Sequence, residues 1–256
     1  LKKVVQNHIE DKVEQNVGLN KVANSLWIGE QLFPQHIISI NSFLQNGFQY
    51  NLYVYGEVKN IPSGVNVLDG NDMIPKEEIW YYQKGFNKGS PSGFSNQFRF
   101  TLLAIGGLWV DTDVVLLKNF NLDKPYIFIS ERNINGDIHP TSSVIYSESG
   151  TSSEKIWLEA IDNISYRNKA RVIHGETGPE LVTYLVKKYN LHDYVLPPNA
   201  FCAIGWHESD KLVDGTLLPN DVVGLHLFDS QSNLNDIDKK NYPHNSIIEG
   251  LKRKYL

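Results

Sequence analysis

Residues 92–117 confine this chain to few folds, because they pass from helical to strand periodicity across two adjacent glycines. In "SGFSNQFRFTLLAIGGLWVDTDVVLL", Phe94, Phe98, Leu102 and Ile105 recur at helical spacing and form one apolar stripe. Ser92, Ser95, Asn96 and Arg99 gather on another face, since residues three and four apart are neighbours on a helix. Gly106 and Gly107 stop the helix where a left-handed residue is needed. "LWV" (108–110) is then a short buried strand that delivers Asp111 to its C-terminal tip, with Asp113 two residues on. In open α/β sheets that edge is where ligands bind.

The rest of the chain alternates in the same way. "NSLWIG" (24–29) reads as a buried strand. "FPQHIISINSFLQNG" (33–47) follows as a helix, with Phe33, Ile37, Ile40 and Leu44 on one face, Pro34 early and Gly47 as a stop. "FQYNLYVYG" (48–56) and "GVNVLDG" (64–70) are strands, and "YYQKGFNKGSPSG" (81–93) is a mobile surface loop lacking the spacing of a nucleotide fingerprint. Beyond the aspartates, "YIFIS" (126–130), "SSVIY" (142–146) and "VVGLHLF" (222–228) read as strands. "SSEKIWLEAIDNI" (152–164) and "GPELVTYLVKKYN" (178–190) read as helices with Ser153 and Thr177 as N-caps. The first dozen residues are charged and form a loose leading helix. Strand–helix alternation throughout predicts one α/β domain over 1–256, a sheet flanked by helices with helical decoration.

Bulk properties exclude several classes. A net charge of -5 disfavours a nucleic-acid partner, whose footprint is a basic surface. A single cysteine, Cys202, precludes an internal disulfide framework; its sequence neighbours are apolar, so it reads as a buried, unreactive thiol. No apolar run is long enough to span a bilayer, and "LKKVVQNHIEDKVEQN" has no apolar centre of the signal-peptide kind. The basic end "LKRKYL" (251–256) is a solvated helix end rather than a membrane anchor. A cytoplasmic protein is expected, with room for peripheral work at the inner face of a membrane.

An Asp-x-Asp triplet alone is weak, and the chain contains its own control. Asp236 and Asp238 share the spacing, but sit among polar neighbours in "SNLNDIDKKNYPHN" as a solvated loop. At 111–113 the flanks are apolar. Two carboxylates so close repel one another, and burial raises one pKa strongly. A divalent cation removes that cost, and oxygen ligands suit Mg²⁺ or Mn²⁺. The plainer alternative is a pair of strand-end carboxylates facing water.

"SNQFRFTLLAIGGLWVDTDVVLLKNF" (95–120) resembles the signature of retaining glycosyltransferases with a DxD motif, the family 32-like group of Och-type α-mannosyltransferases, α-1,4-galactosyltransferases and capsular polysaccharide transferases. Ser95, Arg99, Gly106, Gly107, Trp109, Asp111 and Asp113 match in order, and Asn96 stands where the family usually has Asp. "NSLWIG" is similar to the family's opening strand, which makes Trp27 the residue stacked on the nucleotide base. "HGETGPELVT" (174–183) resembles the segment near the donor sugar and brings in Gly178 and Pro179. The family closes its site with a His followed by Ser-Trp; here "GLHLFDSQSN" offers His226 without the tryptophan.

The resemblance implies a GT-A-type sheet, with about 20–120 as the nucleotide-binding half and about 121–256 as the donor-sugar and acceptor half. It implies Mn²⁺ or Mg²⁺ on Asp111, Asp113 and His226, and donor contacts from Trp27, Ser95, Asn96, Arg99, Trp109, Gly178 and Pro179. A hexose would move, with retention, from a nucleotide-sugar, UDP-sugar favoured, to a saccharide or lipid-linked saccharide in surface polysaccharide synthesis. Arg99 would clamp a phosphate or Asp111, or only pair with a neighbouring acid. A covalent route needs a carboxylate nucleophile, for which Glu131 and Glu176 are candidates; a front-face route needs none.

Two readings from other classes compete. "WVDTDVVL" also fits a haloacid-dehalogenase-type phosphatase, with Asp111 as nucleophile, Asp113 as acid, and Asp210 and Asp214 as downstream metal acids. A non-catalytic sugar-nucleotide-binding protein would explain Asn96 and the missing tryptophan. Fold alone does not decide among them.

Overall fold

Hydrophobic alternation along one strand shows how the core is divided. In β4 (Gly107–Val110), Leu108 and Val110 point into one apolar layer and Trp109 into the other. The computed structural model describes residues 21–232 and 234–256, so the expected leading helix lies outside the described residues. β4 belongs to a six-stranded sheet with β1 (Val22–Trp27), β2 (Gln49–Val54), β3 (Val65–Asp69), β6 (Tyr126–Arg132) and β7 (Ile138–Ser147). The strand order is β3-β2-β1-β4-β7-β6. β3, β2, β1 and β4 pair in parallel, whereas β7 runs antiparallel to both β4 and β6. A second, two-stranded antiparallel sheet joins β5 (Val114–Leu116) to β8 (Gly224–His226).

Helices cover both faces. α1 (Pro34–Gln45) starts on a proline, whose fixed φ suits the first helical turn, and buries Ile40 and Phe43 against Phe48, Tyr50 and Leu52. On the opposite face lie α2 (Ser92–Ala104), α3 (Thr151–Ser165) and α4 (Pro179–Lys188). Phe100 of α2 stacks on Trp157 of α3 with ring centres 5.5 Å apart. A short α5 (Asp229–Ser232) and the terminal α6 (Ile247–Tyr255) complete the chain. α6 buries Ile248, Leu251 and Tyr255 beneath the small sheet and leaves Arg253 and Lys254 in water. The result is one α/β unit with a mostly parallel sheet between helices, an arrangement consistent with the GT-A-type sheet that the sequence resemblance implies. None of its helices, among the described residues, is long and apolar enough to cross a membrane.

Several local expectations change. α2 is buried almost all round, from Gly93 to Ala104 with Ser95 the exception, so Asn96 and Arg99 on its polar face are buried along with its apolar stripe. Ser153 does not cap α3: Gly150 holds the cap position, and the Ser153 hydroxyl donates inside the core to Tyr126 Oη at 3.1 Å. Thr177 does not cap α4 either, because Gly178 does and the Thr177 hydroxyl accepts from Asn96. β7 begins four residues before the apolar run that marks it, since pairing with β6 carries the hairpin past Pro140.

The Gly-Gly stop has a steric cause. Gly106 has φ +86°, and a Cβ there would lie 2.6 Å from the backbone nitrogen of Ser149. Only glycine lets α2 turn this tightly into β4.

Candidate active site

β1 has β2 on one side and β4 on the other, so the chain changes direction across the sheet at β1 and β4. Strands that diverge in this way open a crevice at their C-terminal ends. Here it is a cleft of about 880 Å³. Trp27 enters it from the end of β1, Asp111 and Asp113 from the turn after β4, and Ser95, Asn96 and Arg99 from α2. β8 brings His226 to the same point through its pairing with β5, in which His226 faces Val114.

Asp111 is held from behind. Its Oδ1 accepts from an Arg99 guanidinium N–H at 2.5 Å and from the Trp109 indole N–H at 2.7 Å. Both donors take Oδ1, which leaves Oδ2 without a donor among the described residues. The Arg99 guanidinium also donates to Asn96 Oδ1 and lies 4.9 Å from the centre of the Trp109 ring. Burial pushes the Asp111 carboxyl above its ordinary value, Arg99 opposes this, and the charge of Asp113 adds to it.

Asp113 has the opposite balance. Burial raises its pKa, but the adjacent His226, the backbone N–H of Asp229 at 2.8 Å and the more distant His36 outweigh it and hold Asp113 at about 2. Burial also opposes the charged form of His226. The carboxylate of Asp113, 3.4 Å from Nε2, nevertheless raises the imidazole well above its ordinary value. Perturbed carboxylates of this kind cluster at functional sites, and structural ion-pair networks produce them too.

One donor atom each from Asp111, Asp113 and His226 lies within 4.8 Å of the others. Two carboxylates and an imidazole are a donor set that Mn²⁺ accepts readily and Mg²⁺ accepts through its oxygens. The repulsion felt by Asp111 is what a dication would relieve. The residues therefore fit a divalent metal.

Further residues join the site from distant segments. His36 stacks beside Trp27, ring centres 4.3 Å apart. Its Nδ1 accepts from the Phe33 N–H at 3.1 Å, so the ring proton sits on Nε2 and faces Asp229 Oδ2 at 3.3 Å. Asp229 in turn supports Asp113, so a continuous chain links Trp27 to the carboxylates. Neither His36 nor Asp229 carries a sequence signal beyond a polar residue near an apolar one. Asn96, the departure from the family pattern, bridges Arg99 and Thr177 (3.1 Å), with each end of its amide used. Gly178 packs on it, since a Cβ would lie 3.0 Å from Asn96 Nδ2, and Pro179 lines the wall.

The other candidates separate cleanly. Glu131 lines the cleft, while Glu176 is absent from it and bonds to Arg167 at 3.4 Å. Asp210 and Asp214 do not line the cleft, which removes the downstream metal acids of the phosphatase reading from Asp111. Asp236 and Asp238 are exposed. Cys202 is buried, but its surroundings are not wholly apolar: its sulfur lies within 4.8 Å of ligand atoms of Glu131 and His226. The segment 81–93, expected as a mobile surface loop, runs into the first turn of α2 and forms a wall of the cleft through Phe86, Asn87 and Ser90. On the side where a tryptophan was missing, Phe228 lies over His226 with ring centres 3.9 Å apart and φ +50°.

Unpaired polar atoms concentrate here. Among the described residues, buried atoms without a hydrogen-bond partner are Trp27 Nε1, Gln35 Oε1, Ser92 Oγ, Arg99 Nε, Ser143 Oγ and His226 Nδ1. All but Gln35 belong to residues lining the cleft. Folded proteins pair nearly all such groups with protein, water or an ion, so the cleft offers open donors and acceptors to whatever occupies it.

No protein-family model matches the chain, and no curated protein does. Among solved structures, the "PaToxG Glycosyltransferase" is similar at a TM-score of 0.45 and 14% identity, over 73% of this chain and 76% of that one. The glycosyltransferase GlyE of Streptococcus pneumoniae TIGR4 is similar at a TM-score of 0.49 and 12% identity, over 93% of this chain and 60% of that one. With TM-scores below 0.5, these likenesses transfer neither fold nor activity to this chain.

Proposed function

We propose that the protein is a metal-dependent retaining glycosyltransferase that moves a hexose from a nucleotide-sugar, UDP-sugar favoured, to a saccharide acceptor, and that it works in surface polysaccharide synthesis. The observation that carries this reading is the convergence of Asp111, Asp113 and His226 within 4.8 Å, at the switch point of an α/β sheet and beside Trp27. The sequence resemblance supplies the reaction class, which fold and geometry alone would leave open.

Asp113 and His226 would hold Mn²⁺ or Mg²⁺ with Asp111, and the bound ion would neutralise charge on the departing nucleoside diphosphate. Trp27 offers a flat apolar surface for the base and is steadied by His36. Arg99 is committed to Asp111 and Asn96, so its task is to keep one Asp111 oxygen fixed and the other turned to the ligand. That role is positioning, and it fits an Asp111 reaching both ion and ribose. Ser95 and Ser143 line the same wall and supply hydroxyls to phosphate or sugar.

Retention follows most simply from front-face attack, in which the leaving phosphate takes the acceptor proton. A covalent route would instead need a carboxylate nucleophile, and of Glu131 and Glu176 only Glu131 lines the cleft. A turnover assay decides the reaction class. UDP-hexoses incubated with the protein and Mn²⁺ should release UDP, and EDTA should stop that release. Release of phosphate from phosphomonoesters, with every nucleotide-sugar left intact, would replace this reading by a phosphatase.

A further inference from the structure

The cleft runs along the sheet edge past the metal-ligand cluster. Its far end lies over the β6–β7 hairpin, where Glu131, Asn133, His139 and Thr141 line it. Glu131 is 9% exposed, and its Oε1 meets His139 Nε2 at 3.1 Å, which leaves Oε2 without a donor among the described residues. A ligand atom of Glu131 also lies within 4.8 Å of one on His226. Glu131 and the two aspartates therefore share His226 as a neighbour.

Two aromatic side chains flank this end from separate segments. Phe86 is 72% exposed at the turn between Gly85 and Gly89, both with positive φ. It is not a loose side chain, because its ring leans on His174 with centres 5.2 Å apart. Asn87 Nδ2 and His174 Nδ1 bond at 2.6 Å and pin the loop to the wall. On the other side Trp206, 38% exposed, stands beside α5 and also lines the cleft. Large exposed aromatics are unfavourable in water and reward an amphipathic ligand that covers them. A polar floor of acid, imidazole and amide between two aromatic rims matches a ring with apolar C–H faces and hydroxyls at its equator, which is a pyranose.

We infer that the β6–β7 end of the cleft is a saccharide-binding subsite for the acceptor, with Phe86 and Trp206 packing on its ring faces and Glu131 accepting a hydrogen bond from one of its hydroxyls. This rests on the transferase reading only in calling the saccharide the acceptor. The subsite itself is a binding claim that stands without turnover. The placement explains why Glu131 is held by His139: a carboxylate fixed at one oxygen presents the other in a single direction.

The test uses methyl α- and β-glycosides of glucose, galactose, mannose and N-acetylglucosamine as probes, followed by saturation-transfer NMR with UDP and Mn²⁺ present. At least one glycoside should receive saturation on its ring C–H protons. Phe86→Ala, at a site exposed enough to leave folding intact, should weaken that binding roughly three- to tenfold, and Trp206→Ala should do the same. Glu131→Gln preserves shape and should change which hydroxyl epimer is preferred, an effect a purely structural residue would not produce. UDP affinity by calorimetry should be the same in Phe86→Ala as in the parent. Glycoside saturation without UDP binding would remove the proposed reaction and leave the subsite standing. Equal saturation in the parent and both aromatic variants, or none with any glycoside, overturns the inference.

Discussion

Replacing Arg99 with methionine takes a charge from the best-connected point of the cleft while keeping most of the volume. The Arg99 side chain is 4% exposed, and its guanidinium serves Asp111, Asn96 and the face of Trp109. Removing one partner of a buried ion pair costs roughly 3–5 kcal/mol. Asp111 is 27% exposed and keeps its Trp109 hydrogen bond, so water and the indole recover part of that. The expected cost is about 2–4 kcal/mol, which for a chain of this size is a fall of roughly 5–15 °C in Tm. Its origin fixes two further features. Asp111 is already pushed above its ordinary value by burial, and without Arg99 it rises further. A carboxyl raised in the folded state destabilises once it ionises, so acidification through the folded value should narrow the gap between variant and parent. Mn²⁺ supplies positive charge to the same oxygens and should also narrow it. Arg99→Lys should fall between, since one ammonium cannot span both partners. Thermal unfolding in EDTA and in Mn²⁺, at mildly acidic and neutral pH, reads all of this. A Tm within a degree or two of the parent, or a loss indifferent to both pH and Mn²⁺, would mean that Arg99 does not stabilise the fold through the Asp111 carboxylate.

Other perturbations test separate parts of the site. Asp113→Asn keeps an acceptor for the Asp229 N–H, so the variant should fold, lose Mn²⁺-dependent stabilisation and release no UDP from UDP-sugars; full turnover would remove Asp113 from the metal site. In metal-free protein the Asp113–His226 pair gives a two-sided pH dependence. Asp113, lowered to about 2, contributes stability that is present above the ordinary value of 3.8 and lost as pH falls through about 2. His226, raised well above 6.5, contributes stability that is full below 6.5 and lost as pH rises through its folded value. Tm in EDTA should therefore decline on the alkaline side, and Asp113→Asn should flatten that decline; an unchanged slope in the variant would break the link between the two residues.

Local chemistry carried most of the fold into the sequence. The helical stripe of α2, the Gly-Gly stop and the apolar triplet before Asp111 are each set by neighbours within a few residues, and each stands where its pattern places it. Cap positions did not follow the same logic. Ser153 and Thr177 have the right chemistry for N-caps, but tertiary partners, Tyr126 and Asn96, use their hydroxyls while glycines take the cap. The start of β7 was hidden because His139-Pro140-Thr141 resembles a turn, and only β6 makes it a strand. In the cleft, Asp111 and Asp113 were legible because the strand tip is local. The chain through His36 and Asp229 spans 193 positions and has no motif. Likewise the polar composition of 81–93 says loop, and only Asn87 meeting His174 turns it into a wall.

The central claim is that this cleft binds a nucleoside diphosphate through a divalent ion on Asp111, Asp113 and His226. Calorimetric titration of UDP and of GDP into the purified protein, with Mn²⁺ and then with EDTA, tests it most directly. Saturable binding of one of the two nucleotides, UDP favoured, is expected in Mn²⁺ and should be abolished by EDTA. Absence of binding by either nucleotide in Mn²⁺, or affinities unchanged by EDTA, would contradict it.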